Sequence, residues 1–152
     1  MIDIFREKIK HRGLSEKISA KFADALKLPF ESNTFDLLSV AFGVRNLSSY
    51  GAGLSEFHRA LKPGGKVVIL EFNDTDSLLF GPLFNFYFNK ILPLIGRIIS
   101  KDTTGAYKYL PASVKNFPSA KDFAALMQNA GFAKVETHPM TFRIVTCFIG
   151  TK

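Results

Sequence analysis

The chain has 152 residues, 47% hydrophobic and 22% charged, which fits one globular domain with a sizeable core and argues against disorder. A single cysteine, Cys147, excludes an internal disulfide framework and leaves no cysteine pattern for zinc. The net charge of +7 comes from scattered Lys and Arg without a run of five, so solubility or an anionic membrane surface ranks before nucleic acid, which is not expected as a partner.

The opening "MIDIFREKIKHRG" places Ile2, Phe5 and Ile9 at helical spacing, with Asp3, Arg6, Glu7 and Lys10 between them. His11 and Arg12 suit the negative end of the helix dipole, and Gly13 supplies a stop. No Ser, Thr, Asp or Asn cap precedes this helix, so either its start frays or a segment is missing upstream. "KISAKFA" reads as a short strand ending near Ala23, and "LPFESNTFD" as a loop. "FDLLSVAFG" is a near-continuous apolar run, expected to be a strand buried on both faces. "SSYGAGLSEFHRALKPGG" has Leu54, Phe57 and Leu61 at helical spacing, stopped by Pro63-Gly64-Gly65, and "KVVILEF" is a second apolar strand. Helix and buried strand alternating in this way predict parallel α/β winding.

From Asp76 to Ser100 the pattern is helical, broken at Pro82 and Pro93. Leu78–Ile99 approaches transmembrane length, but Asn85, Asn89, Lys90 and Arg97 interrupt it, so no span is expected. Two apolar stripes run here, Leu79, Leu83 and Phe86 on one side and Phe80, Phe84, Phe88 and Ile91 on the other. Each suits the core, and one suits a bilayer surface. "SAKDFAALMQNAGF" is a helix capped by Ser119 and stopped by Gly131. "AKVETHPM" and "FRIVTCFIG" follow as strands whose tight link implies an antiparallel pair.

In an open parallel sheet, ligands bind beyond the carboxyl ends of the strands. That rule selects Asp24 after the first strand, Gly43, Val44, Arg45 and Asn46 after the second, and Glu71, Phe72 and Asn73 after the third. Asp24, Arg45 and Glu71 are expected to aim into one shared pocket. Each also has a plainer role. Asp24 can cap a turn, Asn46 can cap the next one, and Glu71 can be a core-edge carboxylate satisfied by backbone donors. Arg45 can form a surface ion pair with an acid such as Glu56. His11, His58 and His138 stand far apart in the sequence and suggest no metal site.

The ordered set "ADALKLPFESNTFDLLSVAFGVRNL…RALKPGGKVVILEF", followed by "NKILPLIGRIISKD", "YKYLPASVKNFP" and "LMQNAGF", strongly resembles the ubiquinone/menaquinone C-methyltransferase family of class I S-adenosylmethionine-dependent methyltransferases. The resemblance implies an α/β fold, a Rossmann-like sheet lacking its first two strands, with a helical lid over about residues 76–118 and an antiparallel closing strand pair. It implies S-adenosylmethionine as cofactor and C-methylation of a polyprenylated quinol precursor, demethylmenaquinol before a ubiquinone precursor. By matching position, Asp24, Ala25, Phe42 and Asn46 would meet the cofactor. Arg45 would act at the reacting ring, and Tyr107 and Tyr109 would cover the quinol. In this family a strand, a Gly-rich turn, a helix and a second strand precede the first helix seen here, so residues 1–152 resemble one N-terminally incomplete domain, weak or inactive alone. A complementing N-terminal half or a second copy is then the expected partner, and a cytoplasmic site with peripheral contact at the inner face of the membrane is the expected location. Two departures stand out: Arg143 where the family usually has Gly, and Phe148 where a His often occurs. The competing reading is a non-catalytic α/β binding module or a subunit of a membrane-associated complex.

Overall fold

The computed structural model describes residues 2–72 and 113–152. The first helix, α1 (Ile2–His11), forms where the spacing predicts it, and Gly13 at φ +65° closes it. Only Ile9 of this helix is buried, while Ile4 and Phe5 stay about half exposed. The strand expected before Ala23 is absent: residues 18–23 are irregular, and Phe22 is 89% exposed. A strand is stable only beside a neighbour that takes its backbone bonds, and no described strand runs beside this segment.

The sheet contains β1 (Phe35–Ala41), β2 (Leu61–Phe72), β3 (Lys134–Met140) and β4 (Val145–Thr151), in the spatial order β1-β2-β4-β3. β1 runs parallel to β2, with Val40 opposite Ile69 and Ala41 opposite Leu70. β4 is antiparallel to both β2 and β3, which places Thr146 opposite Glu71. The expected closing pair is therefore present. β1, however, is not buried on both faces. Among the described residues it pairs only with β2, and Leu37 on it is 60% exposed. Among the described residues, the near-continuous apolar run expected to be buried on both faces is an edge strand.

Two helices cover one face of the sheet. The helix α2 (Tyr50–Ala60) starts at Ser49, whose side chain accepts the Ala52 N–H. It ends at Ala60, ahead of Pro63-Gly64-Gly65, which the sequence reading takes as the stop. Those three residues lie inside β2 instead, where Gly64 takes φ +77° and the pairing with β1 shifts between Phe35 and Leu37. The helix α3 (Ala120–Asn129) is capped by Ser119, which accepts from Asp122 N–H, and Gly131 follows at φ +107°. The core joins Leu54 and Phe57 of α2, Phe123 and Met127 of α3, Val67 and Ile69 of β2, and Phe148 of β4. Phe123 and Phe148 pack with ring centroids 4.9 Å apart. Helix α3 comes close to β4 at Gly150, where a Cβ would sit 2.7 Å from the Met127 Cε.

No helix among the described residues is long and apolar enough to cross a membrane. Leu78–Ile99, both apolar stripes, Tyr107, Tyr109 and most of the expected lid lie outside the described residues.

Candidate functional site

Burial alternates along β2, so Val67, Ile69 and Glu71 share the face that packs on the core. Two of these are apolar and the third is a carboxylate with no solvent exposure. Burying such a group is costly unless donors surround it. Glu71 has three. Its Oε1 accepts from Arg45 Nη1 at 2.7 Å and from the Phe72 N–H at 3.0 Å, and its Oε2 accepts from the Arg45 N–H at 3.2 Å. The parallel register brings this about, because Ala41 opposite Leu70 sets the turn after β1 against the end of β2.

That turn is sharp. The Phe42 N–H still donates to Leu70 O at 2.8 Å, then Phe42 adopts φ +55°, and Val44–Asn46 form a single 3-10 turn. A side chain in the left-handed region costs about 1–2 kcal/mol. Gly43 beside it has an ordinary negative φ, so the strain falls on Phe42. Arg45 Nη1 offsets part of this cost by donating to Phe42 O at 2.7 Å. Phe42 also packs on Phe72, with ring centroids 4.6 Å apart, and the Arg45 guanidinium lies 5.8 Å from the Phe72 ring. Arg45 Nε reaches Ser113 Oγ at 3.3 Å, which ties residue 113 to the strand ends.

The structure therefore brings Arg45 and Glu71 together, as expected of two strand tips. The suggested surface pairing of Arg45 with Glu56 is not formed. Arg45 is a nearly buried partner of Glu71, and Glu56 pairs with Arg59 at 2.7 Å, one turn along α2. Asp24 is not at a strand tip. Its carboxylate turns back to accept the Leu26 N–H at 2.9 Å, and its backbone bridges to Lys27. This is its turn-capping role. Ala25 next to it lines an apolar cavity of about 520 Å³ along the open side of β1, together with Val40, Gly43, Val44 and Leu47. Asn46 is exposed at the end of the 3-10 turn, and Phe42 is 37% exposed beside it. Among the described residues, no three His, Cys, Asp or Glu side chains gather to hold a metal.

One element of the site escaped the sequence reading. Glu56 accepts the Leu28 N–H at 2.8 Å, and Arg59 donates to Phe30 O at 2.9 Å, so this pair fastens the loop holding Ala25 to α2. Hydrogen bonding from Arg59 holds the Glu56 carboxyl below its ordinary range. The spacing of three on a helix is a legible sign of an ion pair, but nothing local shows that the pair also reaches a loop 28 residues away.

The profile of the ubiE/COQ5 methyltransferase family matches residues 1–152. The chain is 43% identical over 152 residues to the ubiquinone/menaquinone biosynthesis C-methyltransferase UbiE of Geobacter sulfurreducens, covering all of this chain and 59% of that protein. It is 41% identical over the same span to the demethylmenaquinone methyltransferase of Bacteroides fragilis, of which it covers 62%. The chain thus spans about three-fifths of the length of these relatives. A crystal structure of a SAM-dependent methyltransferase from Aquifex aeolicus superposes with TM-score 0.65 at 17% identity, over 99% of this chain and 62% of that one, and shows the shared Rossmann-like class I fold.

Proposed function

This chain belongs to the ubiE/COQ5 methyltransferase family, and from that premise we propose that its site serves C-methylation of a polyprenylated quinol precursor, with S-adenosylmethionine as methyl donor. The observation that carries this reading is the Arg45 guanidinium, fixed by Glu71 at the carboxyl end of β1 beside the Phe42 and Phe72 rings. Methylation at a ring carbon needs a quinol hydroxyl to give up its proton, so that charge builds on the ring. A guanidinium such as that of Arg45 is a poor base. Held in place, it stabilises the phenolate as it forms, and water carries the proton away.

S-adenosylmethionine supplies an already activated methyl group, so the protein's part is to bind, orient and exclude water. The cavity beside Ala25, Gly43 and Val44 suits a flat apolar base, and among the described residues its lining holds one polar side chain, Ser39. In this reading Asp24, Ala25, Phe42 and Asn46 border the cofactor, and Tyr107 and Tyr109 cover the quinol. Among the described residues no acid lines the cavity to take a ribose. Cofactor affinity of the chain alone is therefore weak, and a complementing N-terminal half or a second copy adds to the open edge of β1. Demethylmenaquinol is the preferred acceptor, supported by similarity to the Bacteroides fragilis protein. A polyprenyl substrate and the +7 charge favour work at the cytoplasmic face of an anionic membrane.

The test is transfer of a labelled methyl group to a demethylmenaquinol and to a benzoquinol precursor, with and without the N-terminal part of a relative. Transfer favouring the naphthoquinol, and rising when the N-terminal part is added, is expected. Absence of transfer in every arm overturns the reading in favour of a non-catalytic binding module.

A further inference from the structure

We propose that Glu71 is a positioning residue, which sets the Arg45 guanidinium and, through it, the backbone turn that places Phe42 against Phe72. Four observations converge. Glu71 lies in the buried row of β2 with no solvent exposure, where an apolar residue would follow the pattern of Val67 and Ile69. It accepts three hydrogen bonds, two of them from Arg45. The same Arg45 Nη1 that meets Glu71 donates to Phe42 O, the carbonyl of a residue in a left-handed conformation. The third side of Arg45 meets Ser113 Oγ.

A guanidinium placed only for charge would be free to swing on its stem. Here three fixed acceptors from different parts of the chain define its plane, and the carboxylate is the only charged one among them. Removing that charge leaves Phe42 O and Ser113 Oγ as neutral partners, too weak to hold both the guanidinium plane and the strained turn. Glu71 then acts through Arg45 rather than on any reacting atom. The kinetic part of this proposal rests on the methyl-transfer reading, and the structural part does not.

The test uses the full chain labelled with ¹⁵N-arginine. In the unmodified chain the Arg45 Nε–H should exchange slowly with solvent. In Glu71→Gln it should exchange at least tenfold faster, with the Phe42–Phe72 ring contact weakened by nuclear Overhauser measurement. The Nε–H of Arg59, which donates to Glu56, is the internal control and should not change. Glu71→Asp keeps the charge and should recover part of the protection. Where turnover is measurable, Glu71→Gln should lower kcat at least tenfold while the Kd for S-adenosylmethionine stays within threefold. Unchanged Arg45 exchange, an equal rise at Arg59, no advantage of Asp over Gln, or equal losses in kcat and cofactor affinity would each overturn the proposal. A chain that transfers no methyl group, yet shows the exchange pattern, keeps the positioning role and removes the reaction assigned to it.

Discussion

Arg59 grips Glu56 through two parallel hydrogen bonds, Nη2 to Oε1 at 2.7 Å and Nε to Oε2 at 2.8 Å, while its Nη2 also donates to Phe30 O. Glu56 in turn takes the Leu28 N–H. One pair thus orders the loop that forms a wall of the apolar cavity. Arg59→Ala leaves Phe30 O without this donor and removes the ion pair from Glu56, and the expected outcome is a lower unfolding midpoint. Urea denaturation checks it. A midpoint unchanged from the parent would show that the pair adds nothing and that the loop is held by Leu28 and Phe30 packing alone.

Protonation adds a second way to loosen the structure. Burial is the main cause that lowers the His58 pKa, with the charge of Lys152 adding to it. The imidazole packs edge-on against Phe132, 5.2 Å between centroids, and its ring atoms lie 3.1 Å from where a side chain at Gly131 would begin. A folded pKa below the unfolded one means that the unfolded chain binds the extra proton first. Stability is then full above the ordinary His value of 6.5 and falls as pH drops through it toward the folded pKa. Glu56 adds a loss of the same sign at lower pH, beginning near its ordinary value of 4.5. Denaturation midpoints between pH 7.5 and 5.5 should fall in the parent and stay level in His58→Gln. A slope that persists in the variant would assign the effect to another group.

The helices were legible because their signals are local. Ser119 and Gly131 bracket α3, and Ile2, Phe5 and Ile9 repeat at helical spacing in α1. The antiparallel closing pair followed from a short link alone. What failed depends on neighbours distant in sequence. Apolar character in "FDLLSVAFG" reports that a strand forms, not how many strands flank it. "KISAKFA" has a strand-like composition but, among the described residues, no neighbouring strand to make it one. The strand-tip rule singled out both Arg45 and Glu71, yet no pattern within either segment shows that they pair with each other across 26 residues.

Arg143 stands where the family resemblance calls for glycine, and its backbone shows why that matters. It is exposed and sits at φ +70° in the turn between β3 and β4. Left-handed geometry costs an ordinary residue about 1–2 kcal/mol, and a glycine gives back part of this through its freer unfolded state. Arg143→Gly should therefore stabilise the chain by roughly 0.5–1 kcal/mol. Phe42→Gly is the contrast. It relieves similar strain at φ +55° but removes the ring that packs on Phe72, so it should give no gain. Thermal unfolding of the two variants checks the pair, and a lower Tm for Arg143→Gly would mean that the arginine side chain holds the turn.

The open edge of β1 makes the last prediction. Among the described residues β1 has β2 on one side and nothing on the other, and Leu37 on it is 60% exposed. Water can satisfy the backbone N–H and C=O groups of a strand edge, so an open edge need not unfold. It remains a template for another strand, and apolar side chains raise the gain from pairing. The purified chain should therefore grow in apparent mass with concentration in light scattering. Leu37→Lys places a charge on that edge, which costs little in a half-solvated position and opposes pairing between copies. The variant should remain monomeric at concentrations where the parent associates, with its unfolding midpoint nearly unchanged. If the parent stays monomeric throughout, β1 is protected by something other than a pairing strand, and the proposal that a second polypeptide completes this sheet loses its support.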